Sequence, residues 1–595
     1  MYEHPHDKEI VGLLDPVQRK LERALFSHAL GKLNTEALCV TLKSMIKEFT
    51  TITSSVPIQS TDLKTRLVEF GDTLLYYYGQ SKKGKSIFDL NQTLLYINST
   101  VNGNWFPPYN EKTGIFLNQS QYYNNDEGYN VELEAVNNLS LEGNDGIHDL
   151  FQESVSNCSF VASMISIISL DPDLLKDSIE IMTRDENILK IGITLFFNGC
   201  KRVILLNNQL PKNKKLTIKS TSNPGLLWPS FIEKAFLKVN GATYQNFPGS
   251  NFGMDCQILI NWIPDYVPSN EITSSKLKEL YGFFKDKKII LGLGTGKLSP
   301  KDCIKYNIVP NHDYSVLNIE ENTDTLLGYE LTVKNPWLNN GERIFKISEF
   351  ELFQVLYVSW NPKIFKTKTQ KNFIIPKNQT KIQNRGVSKC QQYSFTNPLN
   401  QPITVWCLSE EFLKPNQVSK SRTSAAIEGD SSNDDIDDTN KSKNKMEILW
   451  YYTDHKFEKA FNSDYYQLYK KKVSDGSRFI LSKLEIAAKS NVLAVIKSEN
   501  SKPITNSLTY FHDLDCALEV EKAKPRYQFF KEVSDEWNLN NSGGNWTYST
   551  FIKNPQFLLT VFNKDTEDNF TSNPRRLNFL SSPNSIPNHW CQEYH

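Results

Sequence analysis

The sequence predicts an α+β chain of several domains, and three observations carry that reading. The 595 residues exceed what one hydrophobic core organises, so about three to five domains are expected. Apolar residues recur at helical spacing through roughly the first 80 positions. After about residue 370 they collect instead in short β-type runs bounded by turn residues.

Within residues 1–85, Asp15-Pro16 predicts a helix start, an N-cap followed by proline at the first helical position. Val17, Leu21, Ala24 and His28 then keep three- and four-residue steps, as do Leu38, Leu42, Met45 and Phe49, and again Leu63, Leu67, Phe70, Leu74 and Tyr77. Three such helices with short polar joints predict a small antiparallel bundle. From about 100 to 365 the pattern is mixed. "LWPSFIEKAFLKVN" (Leu227–Asn240) reads as an amphipathic helix stopped by Gly241, with "KRVILLNN" and "YSVLNIEE" as strands around it. Beyond 370, "ITVWCLS", "NVLAVIKS" and "QFLLTVF" predict sandwich strands, placing a first sandwich at 370–522 and a short second one at 525–595. The stretch 418–446, dominated by Ser, Asp, Asn and Lys, predicts a disordered insertion into the first sandwich.

Composition narrows the function. Lys+Arg and Asp+Glu both number 67, so no global charge supports a nucleic-acid partner. Nine cysteines are scattered without a CxxC or a close histidine pair, which disfavours a zinc site or a disulfide framework and fits a reducing compartment. The start, MYEHPHDKEI, lacks an apolar signal core, and no apolar run is long enough to span a bilayer. These features predict a cytoplasmic protein with no direct membrane insertion and no metal cluster. "LGLGTGK" (Leu291–Lys297) does not fit GxGxxG or a phosphate-binding loop; it reads as a glycine-rich strand end against a packed site. The acidic run Asp434–Asp438 lacks calcium-loop spacing, which leaves calcium dependence open.

The stretch "FQESVSNCSFVASMISIISL" (Phe151–Leu170) sets a lone cysteine ahead of an apolar run. Ser156 or Asn157 is placed to cap a helix that Cys158 begins, and the helix dipole there favours a thiolate. Gln152, six residues upstream, is placed to return an amide N–H toward the sulfur as an oxyanion donor beside the Cys158 N–H. Alone, Cys158 reads more readily as a buried core thiol. Two later stretches change the balance. "NHDYSVLNIEE" puts His312 just before an alternating strand, and "GYELTVKNPWLNNGE" puts Asn335-Pro336-Trp337 at the end of another. An Asn amide oxygen is suited to accept from the imidazole and fix its tautomer, and Trp337 is placed to cover that bond. The ordered set is far more specific than any member.

The order Gln152, Cys158, His312, Asn335-Pro336-Trp337 resembles that of the calpain cysteine proteases. "LLWPSFIEKAFLKVNGATY" (Leu226–Tyr244) is similar to the calpain segment between the two catalytic halves, and "VILLNNQLP" to the strand and turn before it. "CSFVAS", "LYVSWNP" and the C-terminal "EWNLNNSGGNWTYSTFIKNPQFLLTV" resemble the PalB-like branch, the calpains of the fungal ambient-pH response. Asn157 departs from the family, which usually carries Asp there.

The resemblance implies a papain-like core at 100–365, with subdomains at about 100–240 and 241–365, followed by calpain-type, C2-like β-sandwiches. It implies a Cys158–His312–Asn335 triad with Gln152 as oxyanion donor and Trp337 as shield. The activity implied is limited endopeptidase cleavage, with a zinc-finger transcription factor of the pH response as substrate. The implied partners are an endosomal scaffold and ESCRT-III-type proteins, engaged through a microtubule-interacting-and-transport (MIT) bundle of which residues 1–85 would be a degenerate form. Two rivals stand beside this reading: a non-catalytic calpain-fold scaffold, and a transglutaminase-type enzyme, which the Asn at 335 in place of Asp disfavours.

Overall fold

The computed structural model describes residues 5–524, except 56–60, 83–89, 103, 109–130, 137–138, 140, 142–144, 156, 186–187, 248, 338–342, 376–385, 388, 414–444, 455, 461–462, 464–465, 475–476, 500–502 and 514–517. The sandwich expected at 525–595, the acidic run 434–438 and nearly all of the insertion expected at 418–446 lie outside the described residues. Only the last two positions of that insertion are described, and they open a strand at Lys445.

The N-terminal periodicity becomes three long helices, α1 (Pro5–Ala29), α2 (Thr35–Ser55) and α3 (Thr61–Lys82). The apolar set Val17, Leu21, Leu38, Leu42, Met45, Leu63, Leu67, Leu74 and Tyr77 is buried in one cluster. The helix start expected at Asp15-Pro16 is wrong: α1 begins at Pro5 and runs through Pro16. Proline removes one backbone bond, yet Ile10, Leu14, Val17 and Leu21 form one buried stripe across it, and that burial outweighs the missing bond. A fourth helix, α4 (Leu90–Ile97), also joins the cluster through Leu94, Tyr96 and Ile97.

The central region is built around α5 (Cys158–Leu170), whose residues Ser159 to Ile168 are all buried. Phe160, Val161, Met164, Ile165, Ile167 and Ile168 enter one core, each worth about 1.5–3 kcal/mol of apolar burial. The short α6 (Asp173–Lys176) follows, then an antiparallel three-stranded sheet, β1 (Ile179–Asp185), β2 (Ile188–Phe197) and β3 (Cys200–Asn207). Helix α7 (Trp228–Asn240) ends on Gly241 at φ 63°, a left-handed C-terminus that glycine adopts without strain. Helix α8 (Phe252–Ile260) packs on α5.

An antiparallel six-stranded sheet follows. Its strands are β4 (Ile263–Pro268), β5 (Ile289–Thr295), β6 (Asp313–Glu321), β7 (Tyr329–Lys334), β8 (Ile344–Ile347) and β9 (Phe353–Trp360), in the order β4-β9-β5-β6-β7-β8. Helices α9 (Ser274–Lys285) and α10 (Pro300–Tyr306) are inserted among them. Helix α5 lies against β5 and β6, tied by Ser315 Oγ to Ala162 O at 2.8 Å and Ser166 Oγ to Leu291 O at 3.3 Å. "LGLGTGK" is largely the buried strand β5. A Cβ at Gly292 would stand 2.6 Å from the Phe252 ring, so its glycines serve close packing rather than a phosphate.

Nine further strands form two stacked sheets. They are β10 (Thr367–Ile375), β11 (Gln391–Thr396), β12 (Ile403–Glu411), β13 (Lys445–Thr453), β14 (Leu468–Val473), β15 (Phe479–Ile486), β16 (Asn491–Glu499), β17 (Ile504–His512) and β18 (Glu519–Lys522). The sheet orders are β10-β17-β12-β15 and β14-β13-β16-β11-β18. Alternating side chains such as Val405, Cys407, Ile448, Trp450, Val492 and Ala494 fill the space between them, the pattern of a sandwich with one shared core. Trp450 Nε1 donates across that space to Ser482 Oγ at 3.0 Å.

Candidate active site

The site lies where the N-terminus of α5 meets the ends of β5, β6 and β7. β5 and β6 pair antiparallel, as do β6 and β7, and this brings residues distant in sequence to one rim. His312 precedes β6 and is pinned through its backbone: its N–H donates to Thr295 Oγ1 at 2.9 Å, and its carbonyl accepts the Thr295 N–H at 2.9 Å. Asn335 follows β7, with its N–H on Arg343 O at 2.8 Å.

His312 Nε2 and Asn335 Oδ1 are 2.9 Å apart, and the two residues are 2% and 1% exposed. The same Oδ1 accepts the Trp337 backbone N–H at 2.9 Å. A backbone N–H can only donate, so the atom it meets is the amide oxygen, and His312 Nε2 must be the donor. The neutral imidazole therefore carries its proton on Nε2 and leaves Nδ1 bare. Nδ1 is buried without a hydrogen-bond partner. The Trp337 ring lies over the imidazole at 4.4 Å between centroids, itself 37% exposed, and the Tyr314 ring meets it edge-on at 4.9 Å.

Cys158 opens α5 as a free, half-buried thiol. The expectation that its helix terminus favours a thiolate is not met. Burial, aided by the nearby Asp313 carboxyl, pushes the thiol up to about 12, against the opposing pull of the Asp313 and Ser159 backbone N–H groups. Burial also lowers His312 to about 4, although its bond to Asn335 acts the other way. Thiol and imidazole are each neutral at rest, because desolvation in a packed site outweighs one turn of helix dipole, and no hydrogen bond joins them, His312 Nδ1 having no partner. Asp313 itself is raised to about 7 by burial and by Asp255, with its Oδ2 accepting the Phe252 N–H at 3.1 Å.

Gln152 pairs with the opposite rim. Its N–H donates to Pro336 O at 2.8 Å, and it forms a parallel bridge with Trp337. Its Nε2 donates to Val155 O, which leaves one amide hydrogen uncommitted by that bond. Two cations, not anticipated from the sequence, tie the same segments together. Arg343 donates to Leu150 O at 2.7 Å through Nη2 and to Asn335 O at 3.2 Å through Nε. Lys334 Nζ donates to His148 O. The segment leading to Cys158 is thus latched to the segment carrying Asn335.

Asn157 occupies the N-cap position of α5 but makes no capping bond to it; Ser156 lies outside the described residues. The Asn157 amide instead reaches α7, where Nδ2 stands 2.5 Å from Glu233 Oε1. "EKA" was the available signal for Glu233, but nothing local in it names Asn157 as the partner. Among the described residues, no group of three or more His, Cys, Asp or Glu side chains is placed to hold a metal ion, and no helix is long and apolar enough to cross a membrane.

Set beside known proteins, residues 111–344 match the calpain family cysteine protease model. The calpain-like protease palB/RIM13 of Debaryomyces hansenii is 31% identical over 516 residues, covering 82% of this chain and 62% of that protein. The protein of the same name in Candida albicans is 30% identical over 427 residues, 70% of this chain and 51% of that one. Calpain-7 of Mus musculus is 25% identical over 461 residues, 68% and 53% of the two chains. The chain therefore spans less than two thirds of the length of each of these relatives.

Proposed function

We propose, from the premise that residues 111–344 belong to the calpain family of cysteine proteases, that the chain is a cysteine endopeptidase working through Cys158, His312 and Asn335. The observation that carries the proposal is the His312–Asn335 bond with its bare, buried Nδ1. That is the tautomer needed to take a proton from a thiol. In this reading Cys158 Sγ attacks a peptide carbonyl as its proton passes to His312 Nδ1. The imidazolium then returns the proton to the leaving amine, and Asn335 Oδ1 holds the ring throughout. The Cys158 N–H and the second Gln152 amide hydrogen take the developing oxyanion, and Trp337 shields the His–Asn bond. With thiol and imidazole both neutral at rest, the proton moves as the sulfur attacks and does not draw on a preformed ion pair.

In the same reading the described residues between 100 and 365 form the two subdomains of a papain-like core, divided near 240, and the stacked sheets of 370–522 are a calpain-type, C2-like domain. The substrate is a disordered segment of a zinc-finger transcription factor of the fungal pH response, cleaved at a few sites. Residues 1–85 act as an MIT-like bundle that brings the cytoplasmic enzyme to ESCRT-III-type proteins on an endosomal scaffold. The names of the PalB-type relatives, calpain-like proteases, support the protease reading and suggest the pH-response pathway; the substrate and the partners rest on the family resemblance alone.

The Cys158→Ala variant, expressed in cells lacking any other copy, tests the proposal through substrate size on a gel. Loss of the processed form is expected; persistence of processing refutes the protease reading. One observation favours the scaffold alternative: His312 Nδ1 has no hydrogen-bond partner, and burial holds the Cys158 thiol above its ordinary value and the imidazole below its own. Unchanged partner binding with no turnover in the parent chain would establish that alternative. Activity with and without a chelator decides whether calcium takes part.

A further inference from the structure

Side chains alternate along a strand, so Asp313 and Ser315 share the face of β6 on which α5 lies. Ser315 serves that contact through Ala162 O at 2.8 Å. Asp313 puts a carboxyl there instead, 8% exposed, and the surrounding segments are shaped to hold it. Its Oδ2 accepts the N–H of Phe252, the first residue of α8, at 3.1 Å, and Tyr357 on β9 donates its hydroxyl to the same carboxyl. Gly294 on β5 pairs with Asp313. A Cβ at Gly294 would stand 2.9 Å from Asp313 Oδ1 and 2.8 Å from the Tyr357 ring. The middle glycine of "LGLGTGK" thus clears space for the carboxyl and for the ring that binds it. The main chain of Asp313, meanwhile, turns its N–H to the Cys158 sulfur.

We propose that Asp313 is a positioning residue for Cys158: its carboxyl, seated between α8 and Tyr357, fixes the backbone N–H that meets the sulfur, and its charge decides how readily that sulfur gives up its proton. The proposal rests on the protease reading, which gives the sulfur its task. A neutral acid keeps the seat, because its carbonyl oxygen still accepts the Phe252 N–H, and it places no charge behind the sulfur. A carboxylate keeps the seat as well, but it opposes the thiolate.

A second carboxyl governs which form Asp313 takes. Asp255, three residues into α8 from Phe252 and fully buried, accepts Ser250 Oγ at 2.6 Å. Arg478 enters from the sandwich just before β15 and draws the Asp255 carboxyl toward its charged form. The guanidinium also bonds Glu411 O at 3.4 Å and stands 3.8 Å from Glu410. Burial raises both carboxyls to about 7. With Arg478 beside it, Asp255 takes the first charge, and its repulsion helps to hold the proton on Asp313. The other titratable groups around Asp313 are Cys158 on α5, His312 and Tyr314 beside it in sequence, Tyr266 on β4 and Tyr357 on β9. Burial keeps the three phenols above their ordinary range, the thiol at about 12 and His312 at about 4. Within this group, the two carboxyls alone therefore titrate between about pH 6 and about pH 9.

The test is the rate at which methyl methanethiosulfonate converts Cys158 to its mixed disulfide in the full chain, read by peptide mass spectrometry from about pH 5.5 to about pH 9. Only the thiolate reacts, so a thiol in constant surroundings gains about tenfold in rate per pH unit below its own titration. In the parent chain that gain should slacken between about pH 6.5 and about pH 8 as Asp313 ionises, a lag of about threefold or more, and then resume. Asp313→Asn keeps an acceptor for the Phe252 N–H and cannot ionise. Its rate should lie within about twofold of the parent's at about pH 6 and exceed it by about threefold or more at about pH 9. In Asp255→Asn the lag should move to lower pH, since Asp313 then ionises without a charged neighbour. In His312→Ala it should stay where it is. A parent chain with no lag, an Asp313→Asn variant that keeps it, or a lag that vanishes in His312→Ala overturns the proposal. If Asp313→Asn does not fold, Asp255→Asn decides: a lag moved to lower pH supports the proposal and an unmoved one refutes it. Labelling needs no peptide turnover, so a chain that shows the expected profiles but cleaves nothing counts against the protease reading alone.

Discussion

Replacing Asn335 with Ala removes the oxygen on which the histidine depends. Two N–H groups lose their acceptor together, His312 Nε2 and the Trp337 backbone, each at 2.9 Å in the parent. His312 is 2% exposed, so water cannot readily replace the lost oxygen. A buried donor left unpaired costs about 1–3 kcal/mol. Either the ring turns to find another acceptor, which moves Nδ1 from the place the Asn335 bond gives it, or it stays and bears that cost. Carried into the barrier, about 1–3 kcal/mol is roughly a 5- to 150-fold loss in kcat. The Trp337 N–H has only to reach solvent through a half-exposed residue, so its share is the smaller one. The assay is steady-state cleavage of a disordered polypeptide by Asn335→Ala, with kcat and KM determined separately. For the proposed protease the expected result is a fall in kcat with KM within about twofold, because in that proposal the bond orients a base and does not bind substrate. A variant with parental kcat refutes the argument, and so does one whose loss lies wholly in KM.

Stability should fall as pH rises from about 6.5 to about 8. Burial raises Glu22, Asp255 and Asp313 to about 7 and Glu233 to about 8, so the folded state holds protons that the unfolded state has released. Their stabilising contribution is present at low pH and is lost as pH rises through the folded values. His312 runs the other way, but its penalty begins only below its ordinary 6.5 and grows toward about 4, outside this window. From Glu233 alone the loss is about 2 kcal/mol, and a thermal melt series whose Tm rises between these pH values contradicts the reading. The Arg343→Ala variant should unlatch the rim, since it removes the bonds to Leu150 O at 2.7 Å and Asn335 O at 3.2 Å, charged hydrogen bonds of about 1.5–3 kcal/mol each. Hydrogen exchange at the Gln152 N–H, bound to Pro336 O at 2.8 Å, should then quicken by about tenfold or more, and unchanged exchange shows that the latch holds nothing.

What the sequence displays follows the range of the interactions involved. The bundle was legible because Leu38, Leu42 and Met45, or Leu67, Phe70 and Leu74, lie within a turn or two of each other and share one buried face. Helix α7 and its stop at Gly241 were legible for the same local reason. Pro16 misled because its local penalty was read without the buried stripe that overrides it. At the site, no local rule joins His312 to Asn335; the resemblance set them side by side, and their side chains meet at 2.9 Å. The Asn157–Glu233 contact joins residues 76 apart, and Arg343 reaches Leu150 across 193. Neither distance leaves a trace in composition or periodicity. The sign of the Cys158 shift was misjudged because the helix dipole is visible in a sequence, whereas burial and the approach of Asp313 are created only by folding β6 onto α5.

The most direct test of the central claim is covalent labelling of the intact chain by a peptidyl epoxide, with every cysteine read by mass spectrometry. A peptide-bearing electrophile stands in for the proposed substrate and needs both a nucleophilic sulfur and a proton relay. The account predicts modification at Cys158 in preference to the other eight cysteines of the sequence, slowed by about tenfold or more in His312→Ala. Labelling spread evenly over several cysteines, or a Cys158 rate indifferent to His312, would contradict it.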